Sequence, residues 1–534
     1  MAHTAHIDTF VRDHLPPAEQ WPELIFNRPE LQFPEYLNAV DQLLDRAVDE
    51  GDGERQAIIG KDVSWSYAEL QRQVNRIANV LVQDLQLQTG NRVLLRGMNS
   101  PMLAACWLAV LKAGGVAVGT MPLLRAKELK DIAQAARITH AICDESLAPE
   151  LQLAAESCET LTQVIHYGGT GELEKLAADK TDEFAAVNTA AEDPALIAFT
   201  SGTTGIPKGT VHFHRDIMAM CEVFPRHCLK PTRDDVFIGT PPLAFTFGLG
   251  GLLCFPLWAR ASTVLLEKLA PEPLLKAIEE HGATICFTSP TAYRHMTPLV
   301  PEYNISSLQK CVSAGEALPT DTRDKWREAT GIEIHDGIGG TEMIHIYLGS
   351  SPEDYRAGAL GRMLPGYIGM IVDEQMQPLP TGEVGKLAVK GPTGCRYLAD
   401  ERQTDYVVNG WNLPGDAFYM DDDGYFYYQA RVDDMIVTSG YNVASPEVES
   451  ALLAHPAVAE CGVVGVPDPH RGQVIKAYVV LNVDYVGDDE MTAELQNFVK
   501  NTVAPYKYPR QIKYIDALPR TETGKLQRFK LKQI

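Results

Sequence analysis

The residues best suited to chemistry lie in one loop, residues 200–209, which follows the apolar run 195–199. The apolar run predicts a buried strand. Glycines let backbone N–H groups approach an anion closely, hydroxyls add donors, and a lysine adds positive charge. This composition predicts a polyphosphate-binding loop, although its spacing is not that of the nucleotide-kinase loop and a Gly/Ser/Thr-rich surface turn is the alternative. The candidate binding residues are Thr200, Ser201, Gly202, Thr203, Thr204 and Lys208.

Four later segments place glycines beside a carboxylate, a hydroxyl or a lysine. They are 313–319, with Gly315 and Glu316; 337–342, with Gly337, Ile338, Gly339, Thr341 and Glu342; 410–416, ending in Asp416; and 519–525, ending in Lys525. Each short motif alone has a high chance of arising without function, so their number and order carry the weight.

The elements that must position these segments alternate between strand-like and helix-like runs through the first four-fifths of the chain. The strand-like runs include 92–96, 115–118, 141–143, 164–166, 263–266 and 284–287, and the helix-like runs include 102–113 and 271–281. This alternation predicts an α/β fold with mainly parallel, helix-covered sheets. The 534 residues exceed the roughly 250–300 at which single cores stop growing, which predicts more than one domain. The pattern changes near Asp433, so we expect an N-terminal domain, 1–432, and a small α+β domain, 433–534.

Composition narrows the function classes. The formal net charge of −23 disfavours nucleic acid and anionic membranes as general partners. Ten cysteines without a Cys-x-x-Cys pair indicate reduced thiols. The N-terminus has no basic segment followed by an apolar one, and no run of 18 apolar residues occurs. We therefore expect a cytoplasmic protein that acts on small molecules, as a monomer or a homodimer.

Taken together and in this order, the five segments resemble the adenylate-forming superfamily of acyl-CoA ligases, peptide-synthetase adenylation domains and beetle luciferases. The resemblance covers roughly residues 38–532. It implies ATP-dependent activation of a carboxylic acid to an acyl-adenylate and then transfer to CoA, with release of AMP and pyrophosphate. ATP, Mg²⁺ and CoA are the implied cofactors.

The resemblance also implies roles for individual residues. The loop from Thr200 to Lys208 would hold the β- and γ-phosphates, and Glu342 would be an oxygen ligand for Mg²⁺, with Thr341 touching the α-phosphate. Asp416 would accept hydrogen bonds from the ribose hydroxyls, and Arg431 would add a ribose or phosphate contact. The adenine would be lined by Gly315, Glu316, Gly337, Ile338 and Gly339, where Ile338 stands in place of the tyrosine that many members have.

In the small domain, the resemblance makes Lys525 the catalytic residue. A lysine that donates to both the carboxylate and the α-phosphate would offset their repulsion and stabilise the transition state. Asp433 would be the hinge about which the small domain turns after adenylation, and Gly440 and Tyr441 would line the CoA channel. An exposed acidic turn at 433–434 is the alternative.

The segment 241–250 matches the family's acyl site. By that match Phe245 is an aromatic gate, Phe247 reaches the pocket, and Gly248, Gly250 and Gly339 keep space for a planar ring. On a helix, His345 would share a face with Glu342 and could bond an ortho substituent or the carboxylate. The alternative is that Phe245, Phe247 and His345 are ordinary core residues. His212 and His214 have no third ligand nearby in sequence, so we expect them to pack.

Within the superfamily, residues 313–319 and 338–345 and the run 38–45 resemble the aryl-CoA ligase branch, closest to 2-aminobenzoate–CoA ligase and next to benzoate–CoA ligase. The expected substrate is therefore an aromatic acid, 2-aminobenzoate or a close benzoate analogue. The competing functions are an adenylation enzyme that loads a carrier protein, a luciferase-like oxygenase and a non-catalytic binder of acyl-adenylates. Intact Lys525, Glu342 and Asp416 argue against the binder.

Overall fold

A computed structural model describes residues 3–200, 207–268, 270–438, 441–468, 471–503, 505–520 and 526–534. Within these ranges the strands form four sheets, here named A to D. Sheets A and B are largely parallel, sheet C is antiparallel, and sheet D lies in the C-terminal part of the chain. The predicted α/β architecture with a small α+β part is confirmed.

Sheet A has six strands, of which the first five are parallel and the last is antiparallel to its neighbour. In spatial order they are Gln163–Tyr167, His140–Asp144, Arg92–Arg96, Val116–Thr120, Pro194–Thr200 and Lys208–Phe213. The last two strands flank the predicted phosphate loop and pair Thr200 with Lys208.

Sheet B has nine strands, parallel in the middle and antiparallel at both ends. Their spatial order is Arg362–Met363, Ile346–Gly349, Ile334–Gly339, Lys310–Ser313, Ile285–Thr288, Val236–Gly239, Ser262–Val264, Gln56–Ile59 and Ser64–Ser66. The carboxyl ends of Lys310–Ser313 and Ile334–Gly339 lead into two of the predicted glycine turns.

Sheets C and D contain the remaining strands. Sheet C is Val407–Val408, Trp411–Asn412, Gly385–Lys390, Asp416–Met420 and Phe426–Arg431, with Ile368–Val372 beside Gly385–Lys390. Sheet D is Tyr441–Ala444, Met435–Thr438, Gly472–Leu481 and Val458–Asp468, with Gln511–Tyr514 parallel to Gly472–Leu481. A short 3₁₀ turn, Val432–Asp434, joins the last strand of sheet C to sheet D.

Helices cover the sheets, and several begin where the sequence supplies a cap. Ser66 and Glu69 form a reciprocal capping box at the start of Tyr67–Gln83, and Gly282 ends Pro271–His281 with φ = +61°. The α-helices are Phe10–Asp13, Tyr67–Gln83, Pro101–Lys112, Ala126–Ala135, Ala148–Ala155, Glu172–Ala178, His214–Phe224, Thr246–Leu249, Phe255–Ala259, Pro271–His281, Pro290–Met296, Thr320–Thr330, Gln403–Tyr406, Ser445–Leu453, Asp489–Thr502 and Arg528–Leu531. Among the helices of the described ranges, none has the length and apolar character needed to cross a membrane.

Candidate active site

The predicted phosphate loop connects two antiparallel strands of sheet A. Thr200 ends the first strand and Lys208 begins the second, and both are partly exposed. Ser201, Gly202, Thr203 and Thr204 lie outside the described residues. The hairpin therefore anchors both ends of the loop at the edge of a buried sheet.

Lys208 is bonded to Glu342 through a tyrosine that the sequence analysis did not single out. The Lys208 Nζ donates to the Tyr397 hydroxyl at 3.0 Å, and that hydroxyl donates to the Glu342 Oε1 at 2.6 Å. The Lys208 Nζ also lies 4.8 Å from the centre of the Tyr397 ring. We call Lys208, Tyr397 and Glu342 the phosphate-side triplet, because together they join the loop lysine to the predicted metal-binding carboxylate.

A buried charge network, formed by His212, Asp216 and Arg396, lies beneath Thr341. The His212 Nε2 is 2.7 Å from the Thr341 carbonyl oxygen, and the Asp216 Oδ2 accepts from the Arg396 Nη2 at 2.6 Å. His212, Asp216 and Arg396 are fully buried. Burial raises the pKa of the Asp216 carboxyl, but Arg396 and His212 together lower it by more, so the pKa lies below its ordinary value.

His212 and His214, which were expected to pack, have different partners. His214 accepts a hydrogen bond from the Ala39 N–H through its Nδ1, and burial lowers its pKa to about 3, so it packs as a neutral ring. His212 belongs to the charge network instead. The spacing of His212 and Asp216, four apart across a helix start, is the only sequence signal we find for that network.

The turn at Thr341–Met343 corrects the predicted helix after Glu342. These three residues form one 3₁₀ turn, Ile344 then takes φ = +65°, and the chain enters the strand Ile346–Gly349. His345 therefore does not share a helical face with Glu342. A positive φ is rare for a β-branched residue and marks a locally strained backbone. This turn sends the Glu342 and His345 segments in different directions.

The predicted adenine-lining residues come from two adjacent strand ends of sheet B. Gly315 follows Lys310–Ser313 with φ = +90°, and Glu316 accepts from the Thr291 hydroxyl at 2.7 Å. Gly337, Ile338 and Gly339 end the neighbouring strand, and Ile338 is only partly buried. The structure thus brings the two turns together.

A buried carboxylate, Asp336, lies beneath this edge and was not among the residues predicted from the sequence. Asp336 accepts from the Gly337 N–H at 3.1 Å and lies 3.6 Å from the Arg323 guanidinium. Burial raises the pKa of Asp336 to about 7, against the opposing effect of Arg323.

Asp416 and Arg431 face each other across two strands of sheet C. The Arg431 Nη1 donates to the Asp416 Oδ1 at 3.2 Å and to the Pro414 carbonyl at 2.6 Å. Asp416 is buried, while the Arg431 side chain is about half exposed at 49%. Asp416 was predicted as a ribose contact and Arg431 as a ribose or phosphate contact; in the structure the arginine holds the carboxylate by a hydrogen bond.

The predicted acyl residues surround a buried aromatic cluster. The His345 ring lies 4.6 Å from Phe255, 5.7 Å from Phe247 and 5.8 Å from Phe224, between ring centres. His345 makes no hydrogen bond of standard geometry among the described residues, although the Phe247 backbone lies close enough to raise the pKa of the ring. Burial has the larger, opposite effect and lowers that pKa to about 3. The imidazole is therefore neutral at physiological pH, with one donor and one acceptor; the Phe247 backbone can face only the donor, which leaves the unprotonated nitrogen open.

Two of the glycines have packing roles that differ from the expected open space. A Cβ on Gly248 would lie 2.1 Å from the Pro242 carbonyl oxygen, and a Cβ on Gly250 would lie 2.5 Å from the His345 Cδ2. Gly248 is therefore required by backbone contact, and Gly250 by the histidine ring. Phe245 precedes the helix Thr246–Leu249 and Phe247 lies within it, and both are partly buried.

The small-domain predictions fall largely outside the described residues. Lys525 and Gly440 lie there, Asp433 falls in the turn Val432–Asp434, and Tyr441 begins a strand of sheet D. Nearby, Arg520 reaches Glu460 at 2.7 Å and Glu316 at 3.9 Å, which links the C-terminal segment to the predicted adenine edge.

The donor set fits a cation that is shared with a bound phosphate. No group of three or more His, Cys, Asp or Glu side chains that could hold a metal occurs in the part of the chain that the structure describes. Glu342 supplies one partly exposed carboxylate close to the phosphate-loop lysine. Mg²⁺ is commonly held by one or two carboxylates together with substrate phosphates, and this arrangement fits that habit.

A largely parallel α/β core, a lysine bonded through a tyrosine to a carboxylate and a cross-strand Asp–Arg pair form a set of groups suited to an anionic cofactor. Comparison with known proteins gives the family. Residues 44–397 match the AMP-binding enzyme family, and residues 447–525 match the AMP-binding enzyme C-terminal domain.

Individual relatives agree over nearly the whole chain. Benzoate–CoA ligase of Thauera aromatica is 36% identical over 512 residues, which covers 94% of this chain and 97% of that protein. The solved structure of the anthranilate CoA ligase AuaEII in complex with anthranoyl-AMP has a TM-score of 0.90 and 31% identity, covering 95% of this chain and 98% of that one. A benzoate CoA ligase from Burkholderia xenovorans LB400 has a TM-score of 0.84 and 31% identity, covering 93% and 99%.

The chain therefore belongs to the adenylate-forming AMP-binding enzyme family, in its aryl-CoA ligase branch. It is an AMP-forming acid–thiol ligase. Enzymes of this family use ATP, Mg²⁺ and CoA.

Proposed function

We propose that the protein converts 2-aminobenzoate to its CoA thioester through an enzyme-bound aryl-adenylate. The observation that carries the choice of acid is the buried, neutral His345, whose unprotonated ring nitrogen faces no hydrogen-bond donor among the described residues. A site with an unsatisfied polar group favours a ligand that supplies the missing hydrogen bond, because the analogue without it leaves that group unpaired. The similarity to anthranilate CoA ligase AuaEII supports the same acid.

In this proposal the aromatic ring packs near Phe247 and Gly339, with Phe245 as the gate. The 2-amino group then meets His345. An amine donates to the ring nitrogen that carries no proton, and the other nitrogen can donate to the substrate carboxylate or to water. The planar ring of the substrate would pack against the aromatic side chains of the pocket, a contact that aromatic rings favour.

The nucleotide half would act as follows. Lys208 and the loop after Thr200 would bind the β- and γ-phosphates, and Glu342 would hold Mg²⁺. Asp416, oriented by Arg431, accepts from the ribose hydroxyls. Glu316, Gly337 and Ile338 line the adenine. Bound Mg²⁺ would supply neutralising charge at the phosphate oxygens.

The proposed reaction has two chemical steps. The substrate carboxylate attacks the α-phosphorus and pyrophosphate leaves, while Lys525 offsets the charge that develops between the two anions. After rotation about Asp433, the CoA thiol would enter beside Gly440 and Tyr441 and attack the acyl carbon, so that AMP leaves. A cytoplasmic location is part of the proposal, supported by ten cysteines that are all free thiols.

The direct test is ATP–pyrophosphate exchange across a panel of aromatic acids, followed by CoA-dependent release of AMP. We expect 2-aminobenzoate to give the highest kcat/KM. A higher kcat/KM for benzoate would make benzoate the substrate and leave the proposed reaction unchanged. Pyrophosphate exchange without thioester formation would indicate a carrier-loading enzyme. No exchange with any acid would contradict the proposal as a whole.

His345 variants test the assignment of the acid. His345→Phe should lower kcat/KM for 2-aminobenzoate by about 10-fold or more and leave benzoate nearly unchanged, because it removes only the hydrogen bond. His345→Asn, which keeps a donor and an acceptor, should recover part of the preference. Because the folded-state pKa of His345 is about 3, the preference should stay constant from neutral pH down to mildly acidic pH. Equal losses for both acids in His345→Phe would show that the ring only fills space.

A further inference from the structure

Tyr397 lies between two charged residues to which the proposed function gives separate tasks. Its hydroxyl accepts from the Lys208 ammonium at 3.0 Å and donates to the Glu342 carboxylate at 2.6 Å. A buried tyrosine needs only one partner to satisfy its hydroxyl. This one has two, and both are ionised groups that converge on the phosphates in the proposed site. Hydrogen bonds to charged groups are stronger than those between neutral ones.

The backbone holds Tyr397 against the strand that carries Lys208. Tyr397 forms an antiparallel bridge with Thr210, the Leu398 N–H donates to the Gly209 carbonyl at 2.8 Å, and the Val211 N–H donates to the Arg396 carbonyl at 2.8 Å. The Tyr397 N–H itself donates to the Gln403 side chain at 2.9 Å. The tyrosine is therefore registered to the exit strand of the phosphate loop.

The environment of the ring leaves its hydroxyl little choice of direction. Tyr397 is fully buried, and its ring packs edge-on against Tyr406 with centres 5.9 Å apart. A buried ring that is held by backbone pairing on one side and by a second ring on another keeps its hydroxyl at a set point. Lys208, by contrast, is a long, partly exposed side chain that loses rotamer freedom when it is fixed.

We propose that Tyr397 is a positioning residue for Mg·ATP, which sets the Lys208 ammonium and the Glu342 carboxylate at a defined separation before the nucleotide binds. This inference rests on the proposed roles of Lys208 and Glu342. It predicts that the tyrosine hydroxyl matters for affinity toward the nucleotide–metal complex and has no effect on the acid.

The test measures binding of α,β-methylene-ATP by calorimetry with and without Mg²⁺, together with KM values for ATP and for 2-aminobenzoate and the melting temperature without ligand. Tyr397→Phe should weaken binding in the presence of Mg²⁺ by about 10-fold or more and raise the KM for ATP equally, because a bond to two charged groups is lost. The KM for the acid and the melting temperature should stay the same. Tyr406→Phe is the matched control, since it removes a hydroxyl from the adjoining ring but leaves both bonds of Tyr397 intact.

Lys208→Ala and Glu342→Gln separate failure of this inference from failure of the proposed site. If both weaken binding with Mg²⁺ and Tyr397→Phe binds as tightly as the unaltered protein, the positioning role is wrong and the site stands. If none of the three changes binding, the assignment of the site itself is wrong. A Tyr397→Phe protein that melts at lower temperature and has raised KM values for ATP and acid alike would show a purely structural role and overturn the inference.

Discussion

The nucleotide half and the acyl half of the site are stabilised in opposite ways. The nucleotide half is polar, and its side chains are joined by hydrogen bonds to one another. The phosphate-side triplet lies at its surface end, and the buried charge network lies beneath it. The acyl half is a cluster of aromatic rings around His345, whose unprotonated nitrogen faces no hydrogen-bond donor among the described residues. The first half holds its main charged groups by mutual hydrogen bonds, although the buried Asp216 Oδ1 and the Arg396 Nε and Nη1 make none among the described residues. The second half offers an open ring nitrogen to a ligand.

This difference matches what each half must recognise. ATP is the same for every member of the family, so a preorganised set of charges serves it well. The acid varies between members, and its identity depends on which groups a buried pocket leaves unsatisfied. Selectivity should therefore change with single substitutions in the acyl half, and stability with substitutions under the nucleotide half.

The largest effect should come from the buried charge network. Asp216→Asn keeps the shape of the side chain but leaves the Arg396 guanidinium, fully buried, without its counter-charge. Removing one partner of a buried ion pair costs about 3–5 kcal/mol. We expect the urea midpoint of the enzyme to fall accordingly, and the Thr341 turn to lose the support of His212.

Two controls separate charge from packing in that experiment. Glu353→Gln removes an exposed ion pair, in which the Lys230 side chain is 53% exposed and the Glu353 side chain 73%. This change should cost only about 0–1 kcal/mol of stability. The double variant Asp216→Leu with Arg396→Met removes both charges and should be more stable than Asp216→Asn alone. A double variant as unstable as the single one would attribute the loss to packing.

The next effect tests whether the two halves are sufficient without the small domain. Lys525→Ala should reduce adenylate formation by about 10²–10³-fold, since it removes one positioned donor at the developing charge. Thioester synthesis from supplied aryl-adenylate should remain largely intact, because the proposed function assigns that step to another face of the small domain. Rates of both half-reactions measured separately decide this, and an equal loss in a well-folded variant would contradict the two-face model.

The nucleotide half could be predicted from the sequence because its residue types are unusual and concentrated. Hydroxyls, glycines and Lys208 stand in one loop, and Glu342 and Asp416 each end a glycine turn. The helix Pro271–His281 was predictable over the same residues, since a proline opens it and Gly282 ends it.

What could not be predicted depends on contacts distant in sequence or on one unusual backbone angle. Asp216 and Arg396 are 180 residues apart, and Lys208 and Tyr397 are 189 apart, so no local pattern links them. The helix expected after Glu342 is wrong because Ile344 takes φ = +65°, which propensity gives no reason to expect of a β-branched residue. Such an angle persists only where the surrounding structure fixes it, and that surrounding structure comes from residues distant in sequence.

The smallest effect compares one added methyl group in each half. A Cβ on Gly250 would lie 2.5 Å from the His345 Cδ2 and 2.8 Å from its Nε2, whereas a Cβ on Gly340 would meet nothing closer than the Glu342 Oε2 at 3.5 Å. Gly250→Ala should therefore displace the histidine ring, lower the free energy of unfolding by about 1–3 kcal/mol and weaken the preference for 2-aminobenzoate. Gly340→Ala should change neither, since its φ of −152° suits alanine and its surroundings have room. Urea denaturation and the ratio of kcat/KM for 2-aminobenzoate and benzoate measure both effects. Gly250→Ala with an unaltered ratio would mean that the position of His345 does not set the choice of acid, and the contrast between the two halves would then concern stability alone.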